Sequence, residues 1–161
     1  MLFVSSYDIT KRLFAKAIEL ARQRPDLKIL YKGHPREDLS EQVTYLNETF
    51  GIENLTVIRS KATAIDLISQ SEYVVGVSST ALFESAALGK RVIVLDIPGW
   101  EICKELVDRT DALFVSSSAD LGTEIDKSKP SENSDYYYSK PVPLPVEEYL
   151  RRPRPKTGFW A

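Results

Sequence analysis

Cysteine, histidine and long apolar runs are all scarce in this 161-residue chain. A single cysteine, Cys103, excludes an internal disulfide framework and agrees with a reducing compartment. His34 is the only histidine, so no Cys/His cluster exists to hold a structural zinc. No stretch approaches the roughly 20 apolar residues that span a bilayer. The opening "MLFVSS" is too short for the apolar centre of a secretory signal. An excess of charge of one sign is also lacking. The formal net charge is -2, which supplies no bulk attraction to nucleic acid or to an acidic membrane.

What is present is ordinary globular material. Apolar residues make up 43% and charged residues 27%, in a length that supports one domain with a proper core. Short apolar runs alternate with stretches of helical period. Strands are expected at Leu2 to Ser5, Lys28 to Tyr31, Asn54 to Ser60, Tyr73 to Val77, Arg91 to Leu95 and Ala112 to Val115. Between them, Leu13, Ala17, Leu20 and Ala21 recur at helical spacing until Pro25, and Leu39, Val43, Leu46 and Phe50 do so until Gly51. Shorter helices are expected near 62–71, 80–88, 101–107 and 119–127. Strands that are continuously apolar rather than alternating belong to a parallel sheet covered on both faces. The expectation is α/β: a single Rossmann-like three-layer domain with a mostly parallel sheet of about six strands, over residues 1–127. Six of the nine prolines fall in Ser128 to Ala161, beside "DYYYS" and "YLRRPRP", so residues 128–161 read as an extended proline-rich tail that cannot continue the sheet.

In an open doubly wound sheet, ligands sit beyond the carboxyl ends of the strands, where the strand order reverses. The chemically useful residues collect there. Strand one ends on Ser5 and Ser6, strand two on Lys32, Gly33 and His34, strand four on Ser78, Ser79 and Thr80, and strand five on Asp96, Pro98 and Gly99. With the order 3-2-1-4-5 the ends of strands one and four flank the crevice. Ser79 or Thr80 caps the following helix, whose free N–H groups, dipole and hydroxyls together suit a phosphate. Gly76 and the small serines leave room for it. Plain capping needs one such residue, not three. Glu84 lies one helical turn after Thr80, on the same face, where a carboxylate either accepts hydrogen bonds from a ribose diol or is simply solvated. Pro35 biases His34 toward an extended backbone, and an imidazole there can donate to a phosphate or protonate a leaving group. Lys32 adds a cation or is a solvated strand end. Asp8 and Asp96 are candidate acid/base residues, though Asp8 reads rather as the cap of the first helix, and "DIPGWE" is either a ligand-covering loop or a Pro-Gly turn whose Trp100 packs on the core.

"YKGHP" followed by "VVGVSSTALFESAALGKRVIVLD" resembles the carboxyl-terminal half of glycosyltransferases with the B-type fold of two Rossmann domains. The resemblance is to bacterial sialyltransferases, polysialyltransferases and the capsule or teichoic-acid glycerophosphotransferases, and covers roughly Leu2 to Leu121. In that group a His-Pro motif and a later Ser-Ser or Ser-Thr motif hold the phosphate of a nucleotide donor. His34 and Pro35 match the first; Ser78, Ser79 and Thr80 match the second; Glu84 matches the glutamate that binds the donor ribose. The resemblance implies donor binding by His34, Pro35, Ser78, Ser79, Thr80 and Glu84; the strand-end reading adds Ser6 and Lys32 and makes His34 the catalytic group, with no metal and no separate cofactor. The resemblance implies a CMP- or CDP-linked donor, a role in surface polysaccharide synthesis, and a cytoplasmic place, free or peripheral at the inner membrane. A second glutamate eight residues before Glu84 would mark the retaining sugar-phosphate type, and Gly76 stands there instead. The family's amino-terminal Rossmann domain has no counterpart in these residues, so a missing domain or a partner chain is expected to complete the enzyme, with the isolated chain inactive. Half of a nucleotide-sugar 2-epimerase and a non-catalytic nucleotide- or partner-binding module remain as the other readings.

Overall fold

The computed structural model describes residues 1–6, 9–49, 52–59 and 62–132. Six strands, β1 (Leu2–Val4), β2 (Ile29–Lys32), β3 (Leu55–Ile58), β4 (Tyr73–Gly76), β5 (Arg91–Asp96) and β6 (Leu113–Ser116), form one sheet in the order β3-β2-β1-β4-β5-β6. Every pairing between them is parallel. The chain begins in the middle, builds outward to β3, then returns past β1 to build the other half. The switch point therefore lies between β1 and β4, as the sequence leads one to expect.

Alternation of side chains across the pleat divides the core into two layers. Phe3, Val75, Ile93 and Leu95 face one layer with Leu13, Ala17, Leu20 and Ala21 of α1 (Thr10–Gln23). Leu39 and Ile52, which flank α2 (Ser40–Glu48), and Leu121 at the start of α6 (Leu121–Glu124) close that layer. Leu2, Val4, Val74, Val92 and Val94 face the other. There they meet Leu67 and Ile68 of α3 (Ala64–Ser69), Leu82 and Ala86 of α4 (Thr80–Ala87) and Leu106 of α5 (Lys104–Arg109). Both faces are thus covered, which is why the strands read as unbroken apolar runs.

Where helices start and stop follows from local chemistry. Thr63 and Asp66 form a reciprocal capping box on α3. Gly89, at φ +66°, ends α4 in the left-handed conformation that glycine adopts without strain. The stretch expected as one helix at 101–107 is split into a 3-10 turn, Trp100–Cys103, which follows Gly99 at φ +103°, and α5. Trp100 is partly buried against both core layers and packs on Phe114 of β6, ring centroids 4.3 Å apart.

The start of the tail is pinned. Pro130 makes a single antiparallel bridge with Arg91, Ser131 N–H donates to the Lys90 carbonyl at 3.2 Å, and the Arg91 guanidinium donates to the Ser128 carbonyl. Among the described residues this is the one isolated bridge, and proline has no N–H with which to extend a ladder. The remainder of the expected tail, 133–161, and the capping role expected of Asp8 lie outside the described residues.

Candidate functional site

A cleft of about 750 Å³ opens at the carboxyl ends of β1, β2 and β3 and the amino end of α4. Lys32, His34 and Pro35 line its β2 side, and Ser79, Thr80 and Glu84 line its α4 side. Six of the eight residues expected from the sequence therefore share one cavity. Ser6 and Ser78 do not line it. Their hydroxyls bond to each other at 2.7 Å and tie the end of β1 to the end of β4.

The three consecutive hydroxyls after β4 have separate tasks. Ser78 is bound to Ser6. Ser79 is the N-cap of α4, its Oγ accepting the Ala81 N–H at 3.3 Å. Thr80 is exposed at the first turn, in the cleft. Glu84, one turn further along the same face, is half-buried. Gly76 does not serve the cleft. A Cβ on it would lie 3.0 Å from the Val4 carbonyl oxygen and 3.2 Å from a Leu82 methyl, so this glycine lets β4 and α4 close against β1.

His34 sits in a tight turn. Its carbonyl accepts the Glu37 N–H at 2.9 Å, and its Nδ1 accepts the Arg36 N–H at 3.2 Å. A ring whose Nδ1 accepts carries its proton on Nε2 when neutral. Glu37 completes the turn: Oε2 accepts the His34 N–H at 2.7 Å, while Oε1 accepts the hydroxyls of Ser5, at 3.1 Å, and of Thr10. Below this group the Tyr31 hydroxyl donates to the Thr10 carbonyl at 3.2 Å. Burial pushes the Tyr31 phenol well above its ordinary range; a hydrogen bond with Ser5 opposes this and the Glu37 charge adds to it.

Sequence reasoning overlooked Glu37, Arg59 and Asp38. The first had a signal, since a glutamate three residues after a strand-end residue has the spacing of a capping box. Arg59 follows β3, whose end lies beside that of β2, and it lines the cleft. Asp38 accepts the Ser40 hydroxyl and N–H ahead of α2. These bonds, chiefly the hydroxyl's, hold its carboxyl below the usual carboxylate range, with the charge of Arg59 adding to them. The cleft thus sets Lys32 and Arg59 against Glu37, Asp38 and Glu84, with the His34 imidazole beside them and the positive end of α4 in one wall. Among the described residues there is no cluster of three or more His, Cys, Asp or Glu suited to a metal, and no helix is long and apolar enough to cross a membrane.

Fold and cleft define the class: a doubly wound α/β domain with a cleft of mixed charge beside its switch point. No protein-family model matches the chain, and no curated protein matches it. Among solved structures it is similar to Thermosulfurimonas dismutans KpsC, a beta Kdo 2,4 transferase, at 24% identity and a TM-score of 0.40, over 58% of this chain. The match spans 33% of that protein's chain.

Proposed function

We propose that the chain is the donor-binding half of a glycosyltransferase or glycerophosphotransferase of bacterial surface polysaccharide synthesis. Its ligand is a CMP- or CDP-linked donor. The observation that carries this reading is the joint placement of His34, Thr80 and Glu84 in one cleft at the switch point. The phosphate lies against the first turn of α4, where backbone N–H groups, the helix dipole and the Thr80 hydroxyl favour an anion. His34 donates from Nε2, and Lys32 supplies positive charge. Glu84, one turn deeper, takes the ribose diol. These donors offset the charge that develops on the departing nucleotide, which is how an inverting transfer is accelerated without a metal. Acceptor binding and the remaining catalytic group belong to a second Rossmann domain.

Calorimetry with CMP, CDP, UDP and inorganic phosphate tests the site. Binding of a cytidine nucleotide, weakened by Thr80→Val and by removal of the ribose hydroxyls, is the expected result. No binding by any of them at millimolar concentration refutes it. Turnover assays with and without a supplied amino-terminal domain separate a transferase half from a 2-epimerase half and from a non-catalytic module.

A further inference from the structure

We infer that Glu37 is a positioning residue for His34: its carboxylate clamps the turn bearing the imidazole to the end of β1, and thereby fixes the ring at the cleft. A glutamate on a loop between strand and helix is ordinarily solvated. This one is engaged on both oxygens. Oε2 takes the His34 N–H at 2.7 Å, and Oε1 takes the hydroxyls of Ser5 and Thr10. Ser5 is only 6% exposed, so this end of the clamp is anchored in the body of the domain. The other end is a four-residue turn closed by Glu37 N–H to His34 C=O at 2.9 Å and by Arg36 N–H to Nδ1 at 3.2 Å.

The surrounding sequence makes room for the arm. A Cβ on Gly33 would lie 2.7 Å from Glu37 Oε2 and 2.8 Å from a Leu39 methyl. Gly33 is therefore the residue over which the Glu37 carboxylate passes to reach His34. The clamp joins the loops after β1 and after β2, on one side of the switch point. Its consequence for the ring is specific. With the turn closed, the Arg36 N–H occupies Nδ1 and the proton of the neutral imidazole is confined to Nε2. With the turn open, both tautomers become accessible.

The consequence for ligand binding rests on the phosphate reading of the cleft, while the consequence for the ring does not. Because His34 is the only histidine, a long-range proton–nitrogen spectrum of histidine-labelled protein reads this ring alone. At about pH 8.5, where imidazole is neutral in general, the wild type is expected to show one tautomer with Nδ1 unprotonated. Glu37→Ala is expected to move both nitrogens toward the averaged values of exchanging tautomers, and to lower CDP affinity by about tenfold, the worth of one hydrogen bond to a charged group. Glu37→Gln is expected to retain the wild-type spectrum and affinity within about twofold, since its oxygen can accept the His34 N–H while its amide donates to the two hydroxyls.

A folded Glu37→Ala protein with unmoved nitrogens overturns the inference. So does a Gln variant that behaves like the Ala variant, because charge rather than the clamp would then be responsible. If the Ala variant does not fold, Glu37→Asp, one methylene too short to reach both ends, is read by the same spectrum and the same criterion. A shift of tautomer in a protein whose wild type binds no CDP sustains the clamp and removes the phosphate reading.

Discussion

The hydroxyls of Ser6 and Ser78, 72 residues apart in sequence, meet at 2.7 Å across the switch point of the sheet. This contact locks β1 and β4 together just beyond their last paired residues, Val4 and Gly76. It leaves Ser79 to cap α4 and Thr80 to face the cleft. Single substitutions Ser6→Ala and Ser78→Ala are expected to be non-additive, because each removes the same bond. A double-mutant cycle in urea should return a coupling of about 0.5–1.5 kcal/mol. A coupling near zero would show that the two hydroxyls are satisfied separately.

Capping and ligand binding should separate between the next two residues. Ser79→Ala removes the acceptor for the Ala81 N–H and is expected to cost about 1 kcal/mol of stability. Thr80→Val removes a hydroxyl at the exposed first turn and is expected to change stability by less than about 0.5 kcal/mol. The order reverses for nucleotide affinity, where Thr80→Val should be the more damaging. Thermal melts and calorimetry on the same pair of variants decide this.

His34 offers a choice between two amides. Asparagine places its amide near the Nδ1 position, where it can accept the Arg36 N–H. Glutamine reaches further, to the place of Nε2. If Nε2–H is the phosphate donor, His34→Gln retains more CDP affinity than His34→Asn. Equal loss in both would remove the donor role and leave His34 as a residue of the turn.

Gly76→Ala tests the close approach of β4 to β1. The added methyl would lie 3.0 Å from both the Val4 carbonyl oxygen and a Val4 methyl, tighter than van der Waals contact. A loss of about 1–3 kcal/mol in urea unfolding is expected, the usual cost of overpacking. Unchanged stability would mean that Val4 and Leu82 can yield without penalty.

Cys103 is fully buried beneath the start of α4, and burial pushes its thiol from about 9 up to about 11, with the Ser79 N–H pulling weakly the other way. The native state therefore holds the proton more tightly than the unfolded chain. Its contribution to stability is full below about pH 9 and is lost as the pH rises toward 11. The difference in stability between wild type and Cys103→Ala should accordingly narrow across that window, and thiol reagents should label Cys103 only on unfolding. Rapid labelling of the native protein, or a difference that does not vary with pH, would contradict the burial argument.

Strand and helix order were legible in the sequence, and so were the positions of Lys32 and His34 at the end of a strand and of Thr80 and Glu84 in the first turns of a helix. These depend on period and on the ends of apolar runs, both local properties. The hydroxyl run signalled a helix start equally well. What each hydroxyl does was decided only by the assembled sheet, because Ser78 finds its partner 72 residues away on the neighbouring strand. Gly76 shows the same division. Its small size was evident, but the Val4 carbonyl that requires it belongs to β1, which pairs with β4 only after the chain has crossed back over the sheet. Glu37 is the clearest case. Half of its role, the turn with His34, is a matter of three-residue spacing, while the other half depends on Ser5 after β1 and Thr10 at the start of α1, 32 and 27 residues away in sequence. Local sequence determined which elements form and where they end. Packing of parallel strands out of sequence order determined which of those ends meet, and therefore which polar groups are spent on holding the domain together and which are left facing the cleft.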